Sequence, residues 1–545
     1  MTLAQSSLDG LDWVVLGAYF ALLAASGFWF ARRRQKDTAD YFLAARSMPV
    51  WAVAISVLAT TQSGATFLGA PESSYRGDLT YLSTNIGMII AALVVAFVFI
   101  PAFYRHGVAT PYGMLEQRFG PSARTSTAWM FMVGRVVASG ARLYIVSLAA
   151  AMILFGDMEV AHVIVCIAVM AVVGVFYTLV GGIRSVIWTD VIQAVLYLGA
   201  AMVAVVVLLD RIPGGMNELL LVLRTAGPDG GSKLTVLRLG LDPASPGLGF
   251  DASQAFTLVT AVVAFSLFGI ASNGTDNDMV QRLLTCKSAR KSSRSLIAAT
   301  LVGIPAVALF LVLGLLLYVF YQQPQLMGEH APAAPSDDTR KIFLEFILNE
   351  MPSGMAGLMM AGLFAAGLSS LNSALNAMSS SLVNDVYRPR RPACSERHYV
   401  AAGRIGIIVW GVLLAGFATV CTYWQRASQE TLIDFAIGVM ALAYSGLLAV
   451  FFVALFTRRG NAQSVVAALL VGLLVTLAMK LWPMLWSNAV GEAVLFRYPW
   501  LRHTQGIAWP WHLVVGTAIA TLVCALGRAT ADGAEPRVDA PAPGR

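Results

Sequence analysis

Residues 59–67 read ATTQSGATF and residues 271–276 read ASNGTD, two small, hydroxyl-rich stretches set inside long apolar runs. A helix that crosses a hydrocarbon core of ~30 Å needs about 20 apolar residues in succession. Inside that core every backbone polar group must find a partner, and irregular backbone is tolerated only where it is covered by protein or lines a cavity. The two polar stretches therefore predict two interrupted helices. Each lies in the first span of a set of five, about 50–209 and about 253–456. Five is odd, so the second set enters the bilayer from the opposite face and the two sets are inverted. Inverted repeats of this kind place a solute site near the midplane, between their broken helices.

The rest of the chain agrees with a membrane body. Of its 545 residues 57% are hydrophobic and only 12% charged, where soluble domains carry roughly 25% charged residues. The apolar runs predict thirteen spans, near 13–31, 50–70, 80–104, 126–154, 160–180, 186–209, 253–273, 296–321, 354–378, 402–423, 432–456, 462–482 and 510–527. The domain reading follows: an added helix and inner loop at 1–48, the first repeat at 49–209 and an external loop at 210–251. The second repeat fills 252–457, two further helices 458–528, and a disordered inner tail 529–545. The stretch KIFLEFILNEM (341–351) predicts an amphipathic helix lying on the outer surface. Residues 483–509 form an aromatic-rich connection.

The net charge of +7 is a topology signal and gives no reason to expect nucleic acid. With the N-terminus outside and the C-terminus in the cytoplasm, about two thirds of the 37 basic residues fall on the inner face. Arg32, Arg33, Arg34 and Lys36 are among them, as are Arg282, Lys287, Arg290, Lys291 and Arg294. Met1–Gly10 has no basic n-region, which predicts no cleaved signal. The five cysteines have no metal-ligand spacing, and the six histidines include no HExxH. There is no GxxxxGK[ST] loop for ATP, no nucleophile–base pair and no cofactor motif. A transporter in a bacterial-type inner membrane is the expectation, not an enzyme, and one that needs no organic cofactor. Its expected partners are the bilayer, a small organic solute and a coupling ion, and it is expected to work as a monomer.

Four segments carry a family likeness: DYFLAARSMPVWAVAISVLATTQSGATFLGAPESSY (40–75), GGIRSVIWTDVIQ (181–193), TDNDMVQRLLT (275–285) and AGLFAAGLSSLNSALNAMSSSLVNDVY (361–387). Together with the span count, they resemble the sodium:solute symporters, with particular likeness to the bacterial sodium–sialic acid transporters. The resemblance implies an all-α, leucine-transporter-type core of five plus five inverted helices within about 13. It also implies sodium-coupled symport of a small organic solute by alternating access, the solute being a carboxylate such as sialic acid or a monocarboxylate. The rival readings are a sodium-independent uniporter or channel, or a membrane solute sensor, on the same fold.

Sodium is a hard cation that needs about five or six oxygens. In the family the main ion is held by carbonyls of the broken first helix and an Ala-x-x-Ser-Ser/Thr group, which match Ala59, Gln62, Ala366, Ser369 and Ser370. The alternative is that these serines allow close helix packing. A second sodium site would draw on Asp190, Ser369, Asn372 and Ser373, where the sialic acid transporters carry serine at the position of Asn372. Asp190 lies inside a span, which marks it as functional by default. Its alternatives are a helix cap or an ion pair with Arg184. Arg135 and Arg142 share one face of the fourth span, and a guanidinium suits bidentate binding of a carboxylate. The family motif favours Arg135 and the spacing to GGIRSV favours Arg142. Thr61, Ser63, Thr66, Asn85 and Asn273 match polar substrate positions of the two repeats.

Overall fold

The computed structural model of the chain describes residues 8–31, 37–213, 215–227, 230–241, 251–327, 332, 337–428, 430–485 and 506–528. The basic run at 32–36, most of the aromatic-rich connection at 483–509 and the tail at 529–545 lie outside the described residues.

Helix α1 (Gly10–Ala31) precedes the repeats. The first repeat opens with the pair α2 (Val50–Thr61) and α3 (Gly64–Arg76) and continues with α4 (Thr80–Arg105), α5 (Pro121–Phe155), α6 (Val160–Leu179) and α7 (Gly182–Arg211). The second opens with the pair α8 (Leu258–Gly274) and α9 (Asn277–Leu283), then α10 (Ala289–Gln322). After the short α11 (Ile342–Asn349) come α12 (Met355–Arg390), α13 (Glu396–Arg426) and α14 (Leu432–Phe456). Helices α15 (Ala462–Leu481) and α16 (Trp509–Leu526) follow the repeats. Among the described residues, ten helices are unbroken and long and apolar enough to cross a membrane. Counting the bent pairs Thr38–Arg46 with Val50–Thr61 and α8 with α9 as one span each gives up to twelve, in an all-helical architecture, against the thirteen that hydropathy predicts; the apolar stretch of α1, Gly10–Ser26, is shorter.

The sequence also dictates which helices lie inside. In α12, rich in Gly, Ala and Ser, 94% of the apolar window is buried, and in α5 and α14 the figure is 83%. Small residues let helix backbones approach closely. In α6, α10 and α15 the corresponding shares are 39%, 39% and 33%. Their outer faces carry large apolar side chains such as Val172, Phe176 and Leu474, which suit contact with lipid tails. Gly182 divides α6 from α7 at a φ of +60°, and a Cβ there would sit 2.8 Å from the Tyr41 carbonyl oxygen. Only glycine fits that corner without strain.

Two buried charges tie the extra segments to the repeats. The Asp12 carboxylate of α1 accepts from the backbone N–H groups of Gly354 and Gly357, both at 2.7 Å, at the start of α12. In the loop after α7, the Lys233 ammonium donates to the carbonyls of Tyr75 (2.8 Å) and Gly77 (2.7 Å) at the end of α3. The stretch KIFLEFILNEM does form a helix, α11, yet Ile342, Phe343, Leu344, Phe346 and Ile347 are all buried. Phe343 stacks on Phe67 of α3 with ring centroids 5.3 Å apart, and Phe346 meets Phe320 of α10 at 5.6 Å. Aromatic partners on two helices thus seat the apolar face of α11 against the body, while Asn349 stays exposed.

Candidate functional site

Both polar stretches break their helices. Gln62 and Ser63 leave helical geometry, with ψ of 132° and −178°, and the Ser63 hydroxyl accepts from the Ala65 N–H to start α3. A helix end leaves backbone carbonyls without helical partners, so the break offers oxygens at membrane depth. In the second repeat, α8 and α9 meet at an angle of 62°. There Asp276 caps α9 by accepting from the Asp278 N–H at 2.9 Å.

Between the two breaks lies a cavity of about 130 Å³, far larger than the ~10–15 Å³ a water-sized guest requires. Thr61, Ser63, Thr66, Asn85, Arg135, Arg142 and Asn273 all line it, together with Gln62. The sequence positions that match family substrate residues are thus brought to one wall-to-wall space. Several are already held by local bonds. Thr61 donates to the Leu58 carbonyl (2.8 Å), Asn85 to that of Leu82 (3.0 Å) and Asn273 to that of Gly269 (3.0 Å).

The two arginines of α5 differ in their partners. Arg135 donates through Nη1 to Asp276 (2.9 Å) and through Nη2 to Asp278, which leaves only its Nε without a partner. Tyr444 adds a hydroxyl to Asp276 at 2.7 Å. Arg142, equally buried, forms no ion pair with a carboxylate among the described residues. It reaches the Thr60 carbonyl at 3.3 Å and the Met440 sulfur at 3.2 Å. Arg135 is therefore neutralised from the second repeat, while the charge of Arg142 faces the cavity.

The residues expected to hold sodium fall on α2 and α12 where these helices converge. A Cβ at Gly64 would lie 2.3 Å from Val146 Cγ2, and one at Gly367 would lie 2.6 Å from the same methyl. The start of α3 and the Ala366–Ser370 turn thus meet at one point. Asp190 of α7 bridges the pair, accepting from Ser56 of α2 and Ser369 of α12, each at 2.5 Å. Ser370 donates to the Gly367 carbonyl at 3.2 Å. The Gln62 side chain accepts from Tyr197 at 3.3 Å.

Arg184, weighed above as a partner of Asp190, turns instead to the Ala44 carbonyl (3.1 Å) and the Ser47 hydroxyl (2.9 Å). The guanidinium beside Asp190 is Arg282, at 3.4 Å. Arg282 was assigned above to a basic inner segment, but it is fully buried. It pairs with Asp278 as well. A continuous chain of charges, Asp276–Arg135–Asp278–Arg282–Asp190, therefore runs from the cavity wall to the serines of α12. Asp276, Asp278, Arg282, Ser56 and Tyr444 are the residues that sequence reasoning left out. The signal for one link was present, since Asp278 and Arg282 stand four residues apart on one helix.

Against known proteins, the family model described as "Sodium:solute symporter family" matches residues 41–472. The chain belongs to the sodium:solute symporter family. A sodium/sialic acid symporter of Proteus mirabilis is 31% identical over 480 residues, covering 86% of this chain and 89% of that one. A sodium/sialic acid symporter of Aliivibrio fischeri is 29% identical, with 87% and 88% covered. Among solved structures, a substrate-bound, outward-open Na⁺-coupled sialic acid symporter superposes with a TM-score of 0.74 at 26% identity. That match covers 95% of this chain and 97% of the other. This symporter is a multi-pass membrane transporter that couples solute movement to sodium.

Proposed function

We propose that this sodium:solute symporter carries a small carboxylate into the cell, of the sialic acid or monocarboxylate class, anchored by Arg142. The observation that carries this reading is the cavity itself. It holds a buried guanidinium with no carboxylate partner among the described residues, while its neighbour Arg135 already has two. An isolated buried charge is costly, and a bound carboxylate supplies the missing counter-charge in the bidentate geometry that guanidinium favours. The hydroxyls of Thr61, Ser63 and Thr66 and the amides of Asn85 and Asn273 are available to a polyhydroxylated or short polar body. The Proteus and Aliivibrio relatives, both named as sodium/sialic acid symporters, support the same solute class.

In this reading sodium binds first between the broken α2 and α12, to the carbonyls of Ala59, Gln62 and Ala366 and the hydroxyls of Ser369 and Ser370. Asp190 stands behind Ser369 and adds negative charge without being a ligand. The protein sits in the bacterial inner membrane as a monomer, with the N-terminus outside and the C-terminus in the cytoplasm. Uptake of labelled solute into proteoliposomes, with and without an inward sodium gradient, tests the proposal. The panel holds sialic acid, short monocarboxylates, proline, a hexose and pantothenate. Sodium-dependent uptake of a carboxylate is the expected result. Exclusive uptake of the hexose or proline would overturn the anion assignment.

A further inference from the structure

The four residues that would build a second sodium site do not point at a common ion. Asn372 turns its amide toward α6, where its Oδ1 accepts from the Thr178 hydroxyl at 3.2 Å. The Ser373 hydroxyl donates to the Ser369 carbonyl (2.6 Å) and accepts from Arg282. Asp190 is shared among Ser56, Ser369 and Arg282. At the centre is a side-chain cation already in place. Arg282 gives Nε to Ser56 (3.0 Å), Nη1 to the carbonyl (2.7 Å) and carboxylate of Asp278, and Nη2 to Asp190 and Ser373. All five guanidinium N–H donors thus have acceptors, and the residue is fully buried.

From this geometry we infer that Arg282 is a tethered cation standing in for a second sodium ion, so that this symporter binds one sodium per cycle. The inference rests on the sodium reading of Ala59, Gln62, Ala366, Ser369 and Ser370 given above. A second Na⁺ at Asp190 would sit beside a guanidinium in a low-dielectric interior, where like charges repel strongly. It would also have to take Ser373 from Arg282 and turn Asn372 away from Thr178. With one sodium, a monoanionic solute moves without net charge. Its uptake then follows the sodium concentration ratio and ignores the membrane potential.

The test is ²²Na⁺ binding to the purified full-length protein, titrated in a choline background, with no solute needed. One saturable sodium per protein is expected, with a Hill coefficient of about 1. Ser370→Ala should weaken that binding, and Ser373→Ala should leave the stoichiometry at one. Arg282→Gln should open the second position and raise the count to two. Should Arg282→Gln fail to fold, the wild type and Ser373→Ala still decide the question. Two ions in the wild type, falling to one in Ser373→Ala, would overturn the inference and leave the first site standing. No saturable sodium binding in the wild type would overturn both.

Discussion

Replacing Arg142 by Gln separates the solute anchor from the scaffold. The variant keeps a side chain able to donate to the Thr60 carbonyl but removes the charge that faces the cavity. Its present contacts are few, the Thr60 carbonyl at 3.3 Å and the Met440 sulfur at 3.2 Å, so the fold loses little. A bound carboxylate, by contrast, loses the one cavity guanidinium that is not already paired among the described residues. Leaving one member of a buried charge pair alone costs about 3–5 kcal/mol. At ~1.4 kcal/mol per decade, that is a rise of roughly 10²–10⁴-fold in the solute KM. Arg135→Gln should behave differently. It strips Asp276 and Asp278 of their shared cation, and the cost falls on the folded state, lowering the melting temperature by on the order of 10 °C. The assay pairs carboxylate uptake in proteoliposomes with ²²Na⁺ binding and thermal melting. The reasoning fails if Arg142→Gln keeps its solute KM within about threefold of wild type while sodium binding is intact.

Three further outcomes are expected. Ser370→Ala removes one oxygen from the sodium site, worth about 1–2 kcal/mol. The sodium concentration for half-maximal uptake should rise roughly tenfold, and an unchanged value would remove Ser370 from the site. Gly64→Ala drives a Cβ to 2.3 Å from Val146 Cγ2, and overpacking of this kind costs about 1–3 kcal/mol. Pairing it with Val146→Ala should restore melting temperature and uptake together; a double variant as impaired as the single would show that the contact is not the cause. Lys233→Met leaves the Tyr75 and Gly77 carbonyls without their donor and removes the ammonium from the face of Tyr318, 4.0 Å away. A loss of about 1–3 kcal/mol follows, read as a lower melting point, and an unaltered melt would mean that the cap contributes nothing.

Much of the architecture could be read from local pattern, because polar clusters such as ATTQSGATF stand out against apolar spans and mark the helix breaks. The residues proposed for the solute came from the family likeness, which matches Thr61, Ser63, Thr66, Asn85 and Arg135 to substrate positions; a polar group in a span also needs a purpose. What could not be read was pairing. Arg135 and Arg142 share a helix face, and only the fold brings Asp276 and Asp278 to one of them. Arg282 is followed by Lys287, Arg290, Lys291 and Arg294, so its charge looked like part of an inner-face loop. Its buried position comes from α9 bending 62° away from α8 and packing on α12, with Asp190 of α7 beside it. The helix at 342–349 is legible as a helix, but its packing partners, Phe67 and Phe320, are distant in sequence.

The chain of alternating charges also bears on how the protein is made. Residues 276–282 bring Asp276, Asp278 and Arg282 into the bilayer, and each charge at a helix centre costs about 2.5–3.5 kcal/mol on insertion scales. Segment α8–α9 thus enters at a penalty that its own apolar residues only partly offset. Its counter-charges, Arg135 and Asp190, belong to α5 and α7, which leave the ribosome earlier. The first repeat therefore serves as a waiting receptor for the second, and biogenesis gains a direction from the N-terminal half to the C-terminal half. The same pairings that neutralise the finished transporter set the order in which its halves come together.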